Sequence, residues 1–108
     1  MAISETEFMA AAERTLGAIE SAVEACAADI DVTRAGNVLT LELADGSKLV
    51  VNSQAPMRQI WVAGRSGGFH DEWRDGAWRD TRDGSELFAA LSRLISAQGG
   101  AAVLLRAG

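Results

Sequence analysis

VLTLELADGSKLVVN, residues 38–52, decides the fold. Apolar and polar side chains alternate from Val38 to Leu43, so Leu39, Leu41 and Leu43 share one face of an extended strand. Asp45-Gly46 is a strong hairpin signal, and Lys48 to Asn52 returns as the next strand. The stretch reads as a hairpin, antiparallel by necessity, with one face to bury.

The same period continues on both sides. Ile30 to Arg34 alternates before a Gly36-Asn37 turn. Gln54-Ala55-Pro56 interrupts, because proline cannot donate to a ladder. Gln59 to Ala63 resumes, Arg65-Ser66-Gly67-Gly68 turns, and Phe69 to Trp73 extends. A second hairpin signal, Asp75-Gly76, precedes Ala77 to Asp80. About six strands result.

Helical spacing brackets them. Phe8, Ala12, Leu16, Ile19, Val23 and Cys26 form an apolar stripe over a helix from about Glu5 to Ala28. Ser4 with Glu7 is a capping box, and Ile3 with Phe8 a hydrophobic staple. Cys26 counts as a core residue. A second helix is expected from about Gly84 to Gln98, capped by Asp83 and Glu86 and stopped by Gly99-Gly100. Its stripe is Leu87, Phe88, Leu91, Leu94 and Ile95, and the apolar tail Ala101 to Leu105 should pack on the domain. Two helices on one face of an antiparallel sheet give an α+β two-layer sandwich, one domain over residues 1–108.

The charge is uneven. Residues 1–45 carry nine acids against Arg14 and Arg34, whereas the remainder carries a small excess of bases. Such a front half disfavours nucleic acid and suits a basic protein partner or a hard cation. A lone cysteine excludes a disulfide framework. With an acidic MAISETEF start and no long apolar run, the expected location is cytoplasmic. At about 100° per residue, Glu13, Glu20 and Glu24 gather beside the apolar stripe as a ridge.

The rare side chains fall on the other face. If Ile60 and Val62 face the helices, Gln59 and Trp61 face away. In the next strand Phe69, Asp71 and Trp73 share the covered side, and Gly68, His70 and Glu72 the open side. Asp71 conflicts with burial unless it lies at an edge or finds a partner. An outward tryptophan marks a protein-binding surface. No nucleophile stands with His70, and Gly67-Gly68 opens no helix, so neither a hydrolase nor a nucleotide loop is indicated.

Asn52-Ser53-Gln54-Ala55-Pro56, Gln59-Ile60-Trp61-Val62-Ala63 and Gly67-Gly68-Phe69-His70, behind an acidic helix, resemble the bacterial frataxin family from end to end. The resemblance implies the same sandwich and a role in iron–sulfur cluster assembly. It also implies weak Fe²⁺/Fe³⁺ binding by an acidic ridge and regulatory docking on the cysteine desulfurase and the scaffold protein, by a chain that is a monomer without iron. The ridge carries over to Glu20, Glu24, Asp29 and Asp31, with Glu13 added by helix geometry. Trp61, Gln59, Asn52 and His70, together with Glu20 and Glu24, are the candidate partner-binding residues. The chain departs from the family at Ala25-Cys26-Ala27-Ala28, where bacterial members carry a run of acids, and it is two residues shorter there.

Carboxylates on a convex helix face suit iron but cannot converge into a cage, so binding should be weak and rich in water. Two alternatives remain: a ferroxidase or iron store whose carboxylates oxidise Fe²⁺, and a generic protein-binding module without an iron role.

Overall fold

Alternation in the chain becomes layers in space. The order is α1 (Glu5–Ala25), β1 (Asp31–Ala35), β2 (Val38–Glu42), β3 (Lys48–Gln54), β4 (Gln59–Gly64), β5 (Gly67–Arg74), β6 (Ala77–Asp80) and α2 (Leu87–Gly99), with one 3-10 turn at Ala55–Met57. This computed structural model describes residues 3–26, 29–65, 67–99 and 105. The six strands form an antiparallel meander in chain order. Among the described residues no helix is long and apolar enough to cross a membrane.

Both hairpins form where the sequence signals them. Leu43 and Ser47 close the β2–β3 turn, where Asp45 accepts the Ser47 hydroxyl and amide. Those two bonds, hydroxyl first, hold the Asp45 carboxyl down to about 2. At β5–β6, Asp75 and Gly76 both take positive φ (52° and 79°), as a type I′ turn requires.

One sheet face is apolar because the parity of each strand makes it so. Leu39, Leu41, Leu49, Val51, Ile60, Val62 and Trp78 are buried beneath the helices. α1 answers with Phe8, Ala11, Ala12, Leu16, Ile19 and Val23, and α2 with Leu87, Phe88, Leu91 and Ile95. The capping box starts α1 as expected, with Ile3 partly buried against the core. Leu105 is buried and donates its N–H to Ser92, so the tail packs on the domain at that residue. The rest of the expected tail contact lies outside the described residues.

Several boundaries differ. α1 ends at Ala25 rather than Ala28, since Cys26 is already extended and its N–H closes on Ala22 and Val23. Cys26 is half-buried against the core, and residues 27 and 28 lie outside the described set. α2 starts at Leu87, not Gly84, because the chain first folds back on β6. Arg79 bridges to Glu86, the Asp80 N–H bonds to Ser85, and Gly84 takes a φ of 75° that no helix allows. The expected Asp83–Glu86 capping box is absent. Asp83 instead accepts the Ser85 N–H, while Glu86 caps the helix by accepting from Phe88 and Ala89. Gly67 and Gly68, expected in a turn, pair with Gly64 and Ala63 inside the ladder.

Asp71 neither lies at an edge nor finds a partner. It sits between Ile60 and Asp80 in the register, fully buried. Among the described residues neither carboxyl oxygen has a hydrogen-bond partner. Phe69 and Trp73 share its face but are half-buried rather than buried.

Candidate cation- and partner-binding surfaces

The acidic flank is built by α1 and the edge strand β1. Glu13 and Glu20 lie two helical turns apart on one side of α1. Arg34 pairs with Leu39 in the register, so it shares the helix-facing side of the sheet and points at that flank. Its guanidinium ion-pairs with Glu13 and donates to Glu20 at 3.3 Å, while Nε donates to the Gly36 carbonyl. The Glu13 bond, reinforced by Glu20, pushes Arg34 further above its ordinary value. Two of the candidate ligands therefore already share one cation belonging to the chain.

Glu24, Asp29 and Asp31 are exposed. The register pairs Asp31 with Glu42, and Glu42 with Lys48, in a row on the open sheet face, opposite the side Arg34 takes. The structure thus brings Glu13 and Glu20 together through Arg34 and does not join Asp31 to them. Among the described residues no group of three or more His, Cys, Asp or Glu side chains is placed to hold a metal. The donor set fits a loosely held, mostly hydrated cation and does not fit a closed site.

The open face carries the second surface. Asn52, Trp61 and His70 stand in one row across β3, β4 and β5. The Trp61 and His70 rings stack at 4.3 Å with 14° between planes. The indole N–H donates to Gln59 at 2.8 Å, and Gln54 donates to Asn52. Strand parity set Trp61 outward, and the structure agrees on the side, although the stack leaves the indole half-buried and His70 exposed. A flat aromatic pair rimmed by amides can bury area against a protein at small entropic cost.

Sequence reasoning missed Arg34 as the ridge's internal counter-ion. The available signal was an arginine on the helix-facing parity of an edge strand beside two glutamates seven residues apart. It also missed the Trp61–His70 stack, for which the sequence carried only the shared side.

A frataxin-like domain model matches residues 1–101. The chain is 55% identical over 100 residues to the iron-sulfur cluster assembly protein CyaY of Ralstonia nicotianae, covering 89% of this chain and 88% of that one. It is 56% identical over 111 residues to the CyaY of Ralstonia pickettii, covering 98% and 97%. Among solved structures it is similar to the frataxin of Psychromonas ingrahamii, with a TM-score of 0.87, 34% identity, and 94% and 97% coverage. Trimeric frataxin of the yeast Saccharomyces cerevisiae, solved in a ferrous complex, superposes with a TM-score of 0.66 at 28% identity, covering 93% and 89%.

Proposed function

The chain belongs to the frataxin-like family, and from that premise we propose that it serves iron–sulfur cluster assembly as an iron-binding regulator docking on the cysteine desulfurase and its scaffold protein. The observation that carries this reading is the likeness, along nearly the whole chain, to relatives named for that assembly. In this reading the protein acts in the cytoplasm. Iron is cargo, held briefly by exposed carboxylates that keep most of its water. Arg34 competes for Glu13 and Glu20, which leaves Glu24 and Asp29 the freest ligands on the flank.

Docking uses the same acids as a steering field. Each exposed pair contributes only about 0.2–1 kcal/mol, so several must act together, and their reach is cut to about 8 Å at physiological salt. A residue-resolved NMR titration with cysteine desulfurase, and separately with Fe²⁺, tests the reading. Shifts should concentrate at Glu20, Glu24, Asp29 and Asp31. Glu20→Lys with Glu24→Lys should weaken desulfurase binding far more than reversals at Asp75 and Asp83, and added salt should weaken the unmutated chain more than that variant. Equal shifts at Glu86 or Asp80 would reduce the flank to a solvated surface. Sustained oxygen uptake at catalytic iron would favour the ferroxidase alternative.

Trp61 is the candidate contact with the scaffold protein. Trp61→Ala removes a half-buried ring and its stack on His70, so the fold should lose about 1 kcal/mol. Scaffold binding, measured by calorimetry, should fall at least tenfold, as for a central aromatic anchor worth ~2 kcal/mol or more. A variant that binds the scaffold as before places the docking face elsewhere.

A further inference from the structure

The corner where β5, β6 and the start of α2 meet holds a group that neither surface uses. Asp71 is fully buried there with both oxygens unpartnered among the described residues. Directly across the strand pair stands Asp80, only 5% exposed. From the connecting turn come Asp83 and Arg82, and from the head of α2 comes Glu86; β4 presents Ile60, which carries no charge. Among the described residues none of the nearby bases hydrogen-bonds to Asp71. Arg82 lies by Asp80 and the Gly68 carbonyl, Arg79 donates to the Gly84 carbonyl, and Arg74 to Glu72 and the Asp80 carbonyl.

A carboxylate buried there finds no donor among the described residues, and it faces like charge. Asp80 already accepts the Arg82 backbone N–H at 2.7 Å, whereas Asp71 accepts from no donor among the described residues. Burial first, then the charges of Asp80, Glu86 and Asp83, push Asp71 from 3.8 up to about 7.

We propose that Asp71 is a proton-operated latch on the β5–β6–α2 corner. Protonated, it packs as a neutral group and the corner stays closed. Deprotonated, it draws in water and separates from Asp80, which loosens the turn at residues 81–86 and the first turn of α2. The backbone bonds at stake are few: Asp80 N–H to Ser85, Gly84 N–H to Asp80, and Thr81 N–H to His70. Through the last of these the latch reaches the strand position that carries the His70 ring against Trp61. The latch stands apart from the docking reading; only that reach toward Trp61 rests on it.

The test is carbon-detected NMR of the aspartate carboxyls on the full chain, with amide hydrogen exchange across the same pH range. Asp71 should titrate near neutrality. Protection at Thr81, Gly84, Phe88 and Ala89 should fall about tenfold relative to Leu39 and Leu41 between about pH 6 and about pH 8.5. Asp71→Asn should abolish that loss. An Asp71 carboxyl titrating in the ordinary aspartate range, or an Asn variant that keeps the loss, overturns the latch. Should Asp71→Asn fail to fold, Asp80→Asn serves. Removing the facing charge must then lower the Asp71 midpoint, and an unmoved midpoint overturns the proposal.

Discussion

Trp78→Ala should cost the fold about 4 kcal/mol, within the ~3–5 kcal/mol range for deleting a buried aromatic. Trp78 is only 3% exposed and ties three elements together. Its ring meets Phe8 of α1 edge-on at 5.8 Å and Trp73 of β5 at 5.2 Å. Its indole N–H donates to Thr15 of α1 at 2.8 Å. The substitution opens a cavity, removes two aromatic contacts worth roughly 0.5–1.5 kcal/mol each, and leaves the Thr15 hydroxyl without its donor. These terms overlap, so they do not sum. For a domain at the low end of ordinary stability, ~5–15 kcal/mol, the variant is left close to unfolding. Urea denaturation measures it, with Trp78→Phe as the control that keeps a ring and should lose about half as much. A loss for the alanine variant below about 1.5 kcal/mol would show that β6 is not anchored to α1 through this side chain.

Asp71→Asn should do the opposite at alkaline pH. The folded chain holds the Asp71 proton up to about 7, whereas the unfolded chain releases it near 3.8. Between those values the folded state binds more protons, so the contribution is fully present below 3.8 and is lost as pH rises through about 7. A shift of that size is worth up to about 4 kcal/mol, and loosening of the corner around the ionised group reduces it to about 2. The asparagine cannot ionise and should escape the loss. Denaturation at about pH 4.5, 6 and 8 should show the two proteins closest at the acid end. At the alkaline end the variant should be more stable by about 2 kcal/mol. A difference that stays constant with pH would mean that Asp71 does not carry the proton. Glu7, Asp45 and Asp83 are held below their ordinary values by hydrogen bonds, to Ser4, Ser47 and Ser85 respectively. Their contributions are present above the ordinary carboxylate values and fade as pH falls below them, so they fall outside the window that reports Asp71.

Much of this protein was fixed by local chemistry. Alternation in Val38 to Leu43 decided which side of the sheet is buried, and the same parity put Ile60 and Val62 under the helices with Trp61 opposite. Gly46 in one hairpin and Asp75-Gly76 in the other set the turns, because few residues accept the positive φ these positions take. Ser4 and Glu7 started α1 because a capping box lies within four consecutive residues. That Glu13 and Glu20 share one side of α1 was legible for the same reason, since helical spacing alone sets it.

What depends on distance between elements was not legible. Local spacing pointed to Asp83 as the cap of α2, yet the Arg79–Glu86 bridge to β6 delays the helix and gives that work to Glu86. Arg34 reads as one base in an acidic stretch until the edge strand lies beside α1 and sets its guanidinium between two glutamates. Trp61 and His70 were both outward by parity, but only the β4–β5 register makes them stack. Asp71 shows the division most clearly. Its period placed it on the covered face, and whether that face offered a donor, an edge or another carboxylate was decided by the strand next to it. Period is a property of one segment, whereas a partner is a property of two.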